Sequence, residues 1–114
     1  MEHQMKLNES PFEKIRSGVK IIEIRLYDDK RKNIDIGDTI IFSKLPDLKE
    51  TLSVKVTWLV RYQSFEELLN DFSMDYFWCS NNYDKKSFIE AMYKIYTKEE
   101  EGKYWVLWIK IQLV

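Results

Sequence analysis

The chain has 114 residues, of which 45% are hydrophobic and 32% are charged, and its formal net charge is −1. This composition excludes a disordered chain and predicts one folded domain over residues 1–114. The near-neutral charge argues against strong, non-specific binding of nucleic acid, although it is compatible with a local basic cleft.

The cysteine and histidine counts, together with the apolar runs, narrow the class of protein. The single cysteine, Cys79, excludes an intrachain disulfide and a secreted disulfide scaffold. Because His3 is the only histidine and no phosphate loop or catalytic triad pattern is present, we predict neither a metal nor a cofactor. The N-terminus shows no signal peptide, and no apolar run approaches the ~20 residues needed to span a bilayer. We therefore expect a cytoplasmic protein without a membrane partner.

The chain begins with a predicted strand and a predicted helix. Residues 3–7 alternate weakly, with Met5 and Leu7 expected to point inward and His3 to point the other way. Ser10 is the predicted N-cap of a helix that has a proline at its first position and ends near the next glycine.

A second predicted strand carries most of the chemistry of the chain. Gly18 is the predicted turn into this strand, because glycine tolerates a positive φ. Lys20 falls on the apolar face of the alternation, where an unpaired ammonium group would be costly. The regular strand therefore begins after Lys20, or a bulge redirects its side chain. Lys20, Glu23 and Arg25 place two cations and one carboxylate within six residues.

The polar loop at residues 27–33 allows two interpretations. Charged loops are usually solvated turns, and this interpretation needs no ligand. The alternative is a phosphate-facing lip beside a cleft, since Lys30, Arg31 and Lys32 follow one another there.

The middle of the chain predicts two antiparallel strands and a helix. Residues 39–43 and 51–62 alternate as strands, and Trp58 is among the positions of the longer strand that are expected to face inward. Ser64 is the predicted N-cap of the helix, and Glu67 completes a capping box.

Two further helices and a strand complete the chain. The first helix starts at Asp84 or Ser87 and carries an apolar stripe, which is more often core packing than a binding surface. The stripe comprises Phe88, Ala91, Met92 and Ile95. Thr97 begins a capping box for a short helix that is expected to end at Gly102, and residues 104–114 predict a final central strand. The order of elements predicts an α+β domain built on a curled, mostly antiparallel sheet.

The pattern Gly18-x-Lys20-x-x-Glu23-x-Arg25 resembles the signature of the ASCH family, a branch of the PUA-like β-barrel folds. Further segments that resemble the family pattern are His3-x-Met5-x-Leu7, Pro11-Phe12-Glu13-x-Ile15, Ile36-Gly37-Asp38-x-Ile40-x-Phe42, Tyr62-x-Ser64-Phe65 and Tyr96-Thr97-Lys98-Glu99-Glu100. The resemblance covers nearly the whole chain. It implies a single ASCH domain whose fold is a PUA-like β-barrel of mostly antiparallel strands with flanking helices.

The resemblance also implies that RNA, a nucleotide or a nucleoside binds in a cleft lined by Lys20, Glu23 and Arg25. Arg25 can hold a phosphate or carboxylate bidentately, and Lys20 can act as a point charge or, with a lowered pKa, as a base. Glu23 can orient the two cations or accept a hydrogen bond from a nucleobase amino group. Trp78 is the candidate for stacking on a base. Alternatively, Lys20, Glu23 and Arg25 have no role in binding and form a surface ion network, which contributes ~0–1 kcal/mol to stability when exposed.

An enzymatic alternative also follows from the resemblance. Some short bacterial ASCH proteins resemble amidohydrolases that act on N4-acetylcytidine, with a lysine, a threonine and a glutamate in the cleft. Lys20 matches their lysine, Glu23 stands where the threonine would be, and only Asp84 could replace their glutamate. Glu23 could instead activate a water as a general base, or Lys20 and Arg25 could stabilise the phosphorane of a ribonuclease reaction. The sequence leaves catalysis, the ligand and the oligomeric state open.

Overall fold

The computed structural model describes residues 1–71 and 85–114. In chain order, the elements are β1 (Glu2–Leu7), α1 (Glu9–Arg16), β2 (Ile22–Leu26), β3 (Thr39–Lys44), β4 (Thr51–Tyr62), α2 (Phe65–Asp71), α3 (Lys85–Ile95), α4 (Lys98–Tyr104) and β5 (Val106–Leu113). None of these helices has both the length and the apolar character that crossing a bilayer requires.

The five strands form one sheet in the order β1-β3-β4-β5-β2. β1 and β3 run parallel, and the other three pairings are antiparallel. The predicted antiparallel pairing of β3 with β4 is confirmed, with Thr39 opposite Lys55 and Ser43 opposite Thr51. Within the described parts of the chain, the edge strands β1 and β2 do not pair with each other. The α+β class is thus confirmed, and the described strands form a curled half-barrel where the resemblance implies a barrel.

Two hydrophobic clusters cover the two faces of the sheet, because side chains along a strand alternate between faces. From β5, Leu107, Ile109 and Ile111 contact the first cluster, whereas Val106 and Trp108 contact the second. The first cluster also contains Met5, Leu7, Phe12, Ile15, Ile34, Ile40, Phe42, Val54 and Val56. The second also contains Ile22, Ile24, Leu26, Phe65, Leu68, Leu69 and Phe88. Helix α1 therefore packs on one face of the sheet, and α2 and α3 pack on the other.

The direction predicted for His3 is wrong. Period-two alternation places His3 on the same face of β1 as Met5 and Leu7, and its side chain is accordingly more buried than those of its neighbours. His3 Nε2 lies 2.8 Å from Asp38 Oδ2, which also accepts a hydrogen bond from the Asp35 N–H at 3.0 Å. These two contacts lower the pKa of Asp38 to about 2. His3 is thereby part of a structural contact between β1 and the turn before β3.

Helix α1 begins earlier than predicted. Asn8 occupies the N-cap position, without a hydrogen bond from its side chain, so Ser10 lies inside the first turn and is not the cap. Pro11 also lies in the first turn, where the missing N–H costs nothing because first-turn N–H groups have no partner within the helix.

The predicted caps of α2 and α4 are both present. Ser64 Oγ accepts a hydrogen bond from the Glu67 N–H at 3.1 Å. Thr97 Oγ1 accepts from the Glu100 N–H at 3.1 Å, and Glu100 Oε1 accepts from the Thr97 N–H at 2.9 Å. The predicted end of α4 at Gly102 is wrong, because the helix continues through Gly102 to Tyr104.

The long strand β4 contains an irregularity that turns one predicted core residue outward. The pairing of β4 with β5 shifts register between Val56 and Trp58. Val56 is buried, whereas Trp58 is 55% exposed, so the prediction that Trp58 faces inward is wrong. A bulge adds one residue to a strand and moves the following residues to the opposite face. Leu59 accordingly packs against the first cluster in place of Trp58.

A buried carboxylate joins helices α2, α3 and α4. Glu101 on α4 is 7% exposed. Its carboxylate accepts hydrogen bonds from the Phe65 N–H at the start of α2, at 2.9 Å, and from the Tyr93 hydroxyl on α3, at 2.8 Å. Burial, together with the hydrogen bond to Glu101, raises the pKa of Tyr93 to about 12. Tyr93 therefore stays a hydrogen-bond donor at neutral pH.

We expect Glu101→Ala to lower the free energy of unfolding by about 1–3 kcal/mol, because a buried N–H and a tyrosine hydroxyl lose their acceptor. Glu99 lies on the same helix, is exposed and makes no hydrogen bond with the described residues, so Glu99→Ala is the matched control. Urea denaturation measures both variants. Equal stability of the two would contradict this account of the helix contacts.

Candidate functional site

The turn between α1 and β2 places Lys20 just before the start of β2. Gly18 has a φ of +82°, which glycine adopts without strain. The Gly18 N–H donates to the Ile15 carbonyl at 3.0 Å, and the Lys20 N–H donates to the Lys14 carbonyl at 2.9 Å. β2 begins at Ile22, so the prediction that the regular strand starts after Lys20 is confirmed.

Lys20, Glu23 and Arg25 form one ion network. Lys20 and Glu23 are only 4% and 3% exposed. Lys20 Nζ donates to Glu23 Oε1 at 2.9 Å. Arg25 donates to Glu23 Oε2 from Nε at 3.2 Å and from Nη2 at 3.1 Å. The three charged side chains of the sequence motif are therefore in direct contact.

The Glu23 carboxylate is fully engaged. Besides Lys20 and Arg25, the Ile24 N–H donates to Glu23 Oε1 at 3.2 Å. Four donors thus occupy about as many lone-pair positions as two carboxylate oxygens offer. Burial alone would raise the pKa of Glu23, but the charges of Lys20 and Arg25 and their hydrogen bonds outweigh burial and hold it below its ordinary value of 4.5. Glu23 is therefore ionised at neutral pH.

Arg25 also bridges the two edges of the half-barrel. Its Nη2 donates to the backbone carbonyl of Lys6 at 3.0 Å, so a β2 side chain satisfies a backbone acceptor on β1. Nε and Nη2 are thereby committed, whereas Nη1 has no hydrogen-bond partner among residues 1–71 and 85–114. The Arg25 side chain is 16% exposed. Because guanidinium donors form a fixed planar fork, the two N–H groups of Nη1 are the ones that a ligand could engage.

A hollow of about 310 Å³ opens beside this network, at the seam between the edge strands β1 and β2. The start of α1 and the end of α3 form its other walls. We call it the seam cleft. Besides Lys20, Glu23 and Arg25, its lining includes Lys6, Lys14, Met92, Ile95 and Tyr96. This volume lies at the lower end of the range for small-molecule sites.

Two lysines add to the positive charge of the seam cleft. Lys6 on β1 and Lys14 on α1 line it and make no salt bridge with the described residues. Their position was not predicted, because nothing in the sequence shows that the end of β1, the first turns of α1 and the start of β2 meet.

The apolar stripe of α3 divides between the core and the cleft. Phe88 is buried in the second hydrophobic cluster, as predicted. Ile95, at the end of the same stripe, is 65% exposed and lines the seam cleft together with Met92 and Tyr96. Burial is the largest cause that raises the pKa of Tyr96, so its hydroxyl stays protonated at neutral pH. Helical spacing identifies the stripe but does not show where the sheet beneath it ends.

The remaining candidates lie elsewhere. Trp78, Asp84 and Cys79 fall outside the described residues. In the loop at residues 27–33, Arg31 Nη1 pairs with Asp28 Oδ2 at 2.8 Å, and none of the described residues that line the seam cleft comes from this loop. Among residues 1–71 and 85–114, no group of three or more His, Cys, Asp or Glu side chains is placed to hold a metal ion.

We expect Glu23→Gln to lower the free energy of unfolding by about 3–5 kcal/mol at neutral pH, because it removes the carboxylate that pairs with the buried ammonium of Lys20. A carboxylate with a lowered pKa contributes stability above its ordinary pKa, and this contribution is lost as the pH falls through the folded-state value. The stability difference between wild type and Glu23→Gln should therefore shrink on acidification below about pH 4.5.

Urea unfolding of wild type and Glu23→Gln at neutral and acidic pH measures this difference. Glu90→Gln is the matched control, since Glu90 is exposed on α3 and makes no ion pair with the described residues. A difference for Glu23→Gln that stays constant or grows toward acidic pH would contradict an ionised, ion-paired carboxylate.

Comparison with known proteins adds the family. The chain matches the ASCH domain over residues 5–114. The crystal structure of the hypothetical protein PH0355 superposes with a TM-score of 0.86 at 35% identity, covering 100% of both chains. The solution structure of protein PF0455 from Pyrococcus furiosus gives a TM-score of 0.76 at 33% identity, covering 100% of this chain and 98% of that chain.

More distant similarity extends to the crystal structure of ASCH from Zymomonas mobilis. Its TM-score is 0.59 at 16% identity, and the alignment covers 97% of this chain and 66% of that chain, so it supports the fold alone. No curated protein matches the chain. Because the domain match begins at residue 5 and reaches residue 114, the chain belongs to the ASCH domain family.

Proposed function

We propose that this chain binds a nucleotide or a short single strand of RNA in the seam cleft. The observation that carries this proposal is the buried network of Lys20, Glu23 and Arg25 in the wall of the cleft. Burying the charges of Lys20 and Glu23 is costly, and replacing such groups by apolar residues is often neutral or stabilising. A structural ion network does not require a cleft beside it, whereas a binding site for an anion does.

The charge of the seam cleft favours an anionic ligand. Among the described residues, four cationic side chains line it, namely Lys6, Lys14, Lys20 and Arg25, against the one carboxylate of Glu23. Since that carboxylate is already neutralised by its own ion pairs, the field in the cleft is positive. The free N–H groups of Arg25 Nη1 match a phosphate or carboxylate oxygen.

The opposite wall favours a ligand with a flat apolar part. Tyr96, Met92 and Ile95 provide one aromatic and two aliphatic side chains across from the cations. A nucleotide combines a phosphate with a flat base, and bases commonly bind by stacking on or packing against such side chains. The whole chain has a formal net charge of −1, which suits a nucleotide or a short strand better than a long duplex.

The geometry of Glu23 favours binding over hydrolysis. A general base needs a lone pair directed at the water or proton that it attracts. The Glu23 oxygens already accept from Lys20, Ile24 and Arg25, so the roles suggested for Glu23 as a general base or as an acceptor from a nucleobase lose their physical support. Its role in this proposal is to orient the two cations.

A binding measurement tests the proposal. Titration of the protein with cytidine monophosphate and with a short single-stranded RNA should give saturable binding to both. We expect Lys14→Gln to weaken binding several-fold and to reduce the slope of log affinity on log salt by about 0.7, the effect of one lost phosphate contact on a single strand. Lys55→Gln is the control, since Lys55 is exposed on β4 away from the cleft.

Equal affinities of wild type, Lys14→Gln and Lys55→Gln would place any binding outside the seam cleft. Absence of binding by wild type to both probes would overturn the proposal.

A turnover assay separates binding from catalysis. We expect wild type to release no product from N4-acetylcytidine and to leave short RNA intact on prolonged incubation, because Glu23 has no lone pair available for a water. Chromatography of the incubation mixture measures this. Product that appears with wild type and disappears with Lys20→Ala and Glu23→Gln would instead establish an amidohydrolase or a ribonuclease.

A further inference from the structure

A second hollow, lined by aromatic rings and cations, lies at the end of β2 where the strand leaves the sheet. Its volume is about 250 Å³, and it is lined by Tyr27, Lys32, Arg61, Lys103, Tyr104 and Trp105. We call it the Trp105 hollow. None of these lining residues carries a carboxylate, and Lys32 has its ion-pair partner, Asp29, outside the lining, at 3.4 Å. The hollow is therefore positive and aromatic at once.

Aromatic rings hold the guanidinium of Arg61 in place without using its hydrogen-bond donors. Arg61 Cζ lies 4.8 Å from the centroid of the Tyr27 ring and 6.0 Å from that of the Trp105 ring. Arg61 makes no hydrogen bond or salt bridge with the described part of the chain. Because a cation–π contact uses none of the five N–H donors of the guanidinium, these donors are available to an anion.

The backbone of Trp105 is strained. Its φ of 67° and ψ of 176° lie in a region that is almost exclusive to glycine. Two backbone hydrogen bonds hold it there, from the Trp105 N–H to the Glu101 carbonyl at 2.9 Å and from the Tyr27 N–H to the Trp105 carbonyl at 3.0 Å. The side chain is nevertheless 39% exposed. Strain of this kind occurs preferentially at ligand-binding positions, and here it presents a tryptophan at the mouth of a cationic hollow.

The Trp105 hollow and the seam cleft each contain an arginine that projects from the same face of the sheet. Arg25 on β2 and Arg61 on β4 are both paired with Leu107 on the strand between them. Residues directly opposite one another on paired strands project to the same face, and two strand spacings separate their backbones by about 10 Å. This separation is short enough for one single strand to reach both hollows, running around Leu107, which is buried between the two arginines.

We propose that the Trp105 hollow is a second nucleotide-binding site, in which a base stacks on Trp105 and the phosphate accepts hydrogen bonds from Arg61 and Lys103. The occupant is a further nucleotide of the single-stranded RNA whose first nucleotide lies in the seam cleft, so the proposal rests on the proposed function. Cations for the backbone and an aromatic ring for each base are the combination by which proteins bind single strands.

Two variants with a control test this site. Trp105→Gly should weaken binding of a short single-stranded RNA about tenfold, the typical effect of losing one base-stacking ring. Arg61→Gln should reduce the magnitude of the salt slope for the same RNA by about 0.7. Both variants should weaken binding of cytidine monophosphate less than binding of RNA, because the seam cleft is unchanged, and Lys55→Gln should match wild type with both probes.

Thermal unfolding separates binding from folding in this experiment. Glycine adopts the backbone conformation of Trp105 without strain and keeps both backbone hydrogen bonds. The midpoint temperature of thermal unfolding of Trp105→Gly should therefore stay within about 5 °C of the wild-type value. A purely structural role for Trp105 predicts the opposite, a large loss of stability with unchanged affinity for RNA, and this result would overturn the proposal.

The NMR signal of the Trp105 indole N–H, followed during each titration, distinguishes the two proposals. In one outcome, wild type binds cytidine monophosphate, RNA does not shift the indole signal, and Trp105→Gly binds RNA as tightly as wild type. This result would contradict the second site and leave the seam cleft supported. If RNA moves the indole signal and binds more weakly to Trp105→Gly, but binds Lys14→Gln as tightly as wild type, the second site is supported and the seam cleft is not. Absence of any binding overturns both.

Discussion

The structure depends on the way in which one buried carboxylate holds two cations. One oxygen of Glu23 accepts a hydrogen bond from Lys20 and the other accepts from Arg25, and the burial of Lys20 and Glu23 makes any rearrangement of this pair costly. The same network positions Arg25 to reach the Lys6 carbonyl and so links the edge strands of an open half-barrel. A seam that would otherwise be two unpaired strand edges becomes the charged wall of a cleft.

This arrangement also decides which chemistry the site can perform. A carboxylate with all its lone pairs engaged orients its partners and does not take up a proton, which its lowered pKa reflects. The cations retain the capacity to bind, because Arg25 Nη1 is directed away from Glu23. Opposite them, Tyr96 supplies an aromatic surface. These three features are the basis of the proposed recognition of a ligand that is anionic at one end and flat at the other.

Local sequence signals identified much of this architecture. The glycine turn, the offset of Lys20 from the strand and the caps at Ser64 and Thr97 each depend on a few neighbouring residues, so the sequence contains the information to predict them. Period-two alternation failed at Trp58, because a bulge in β4 shifts every later residue to the opposite face and leaves no local mark.

The rest of the site depends on contacts between segments far apart in the chain. Lys14 and Tyr96 are more than eighty residues apart in the sequence and face one cleft only because α1 and the end of α3 meet at the seam. The most direct test of the central claim is NMR of the Arg25 guanidinium during titration with cytidine monophosphate. The account predicts that the Nη1 signal shifts while the Glu23 carboxyl signal stays that of an ionised, hydrogen-bonded group. An unmoved Arg25 signal on saturation, or a Glu23 carboxyl that becomes protonated on binding, would contradict it.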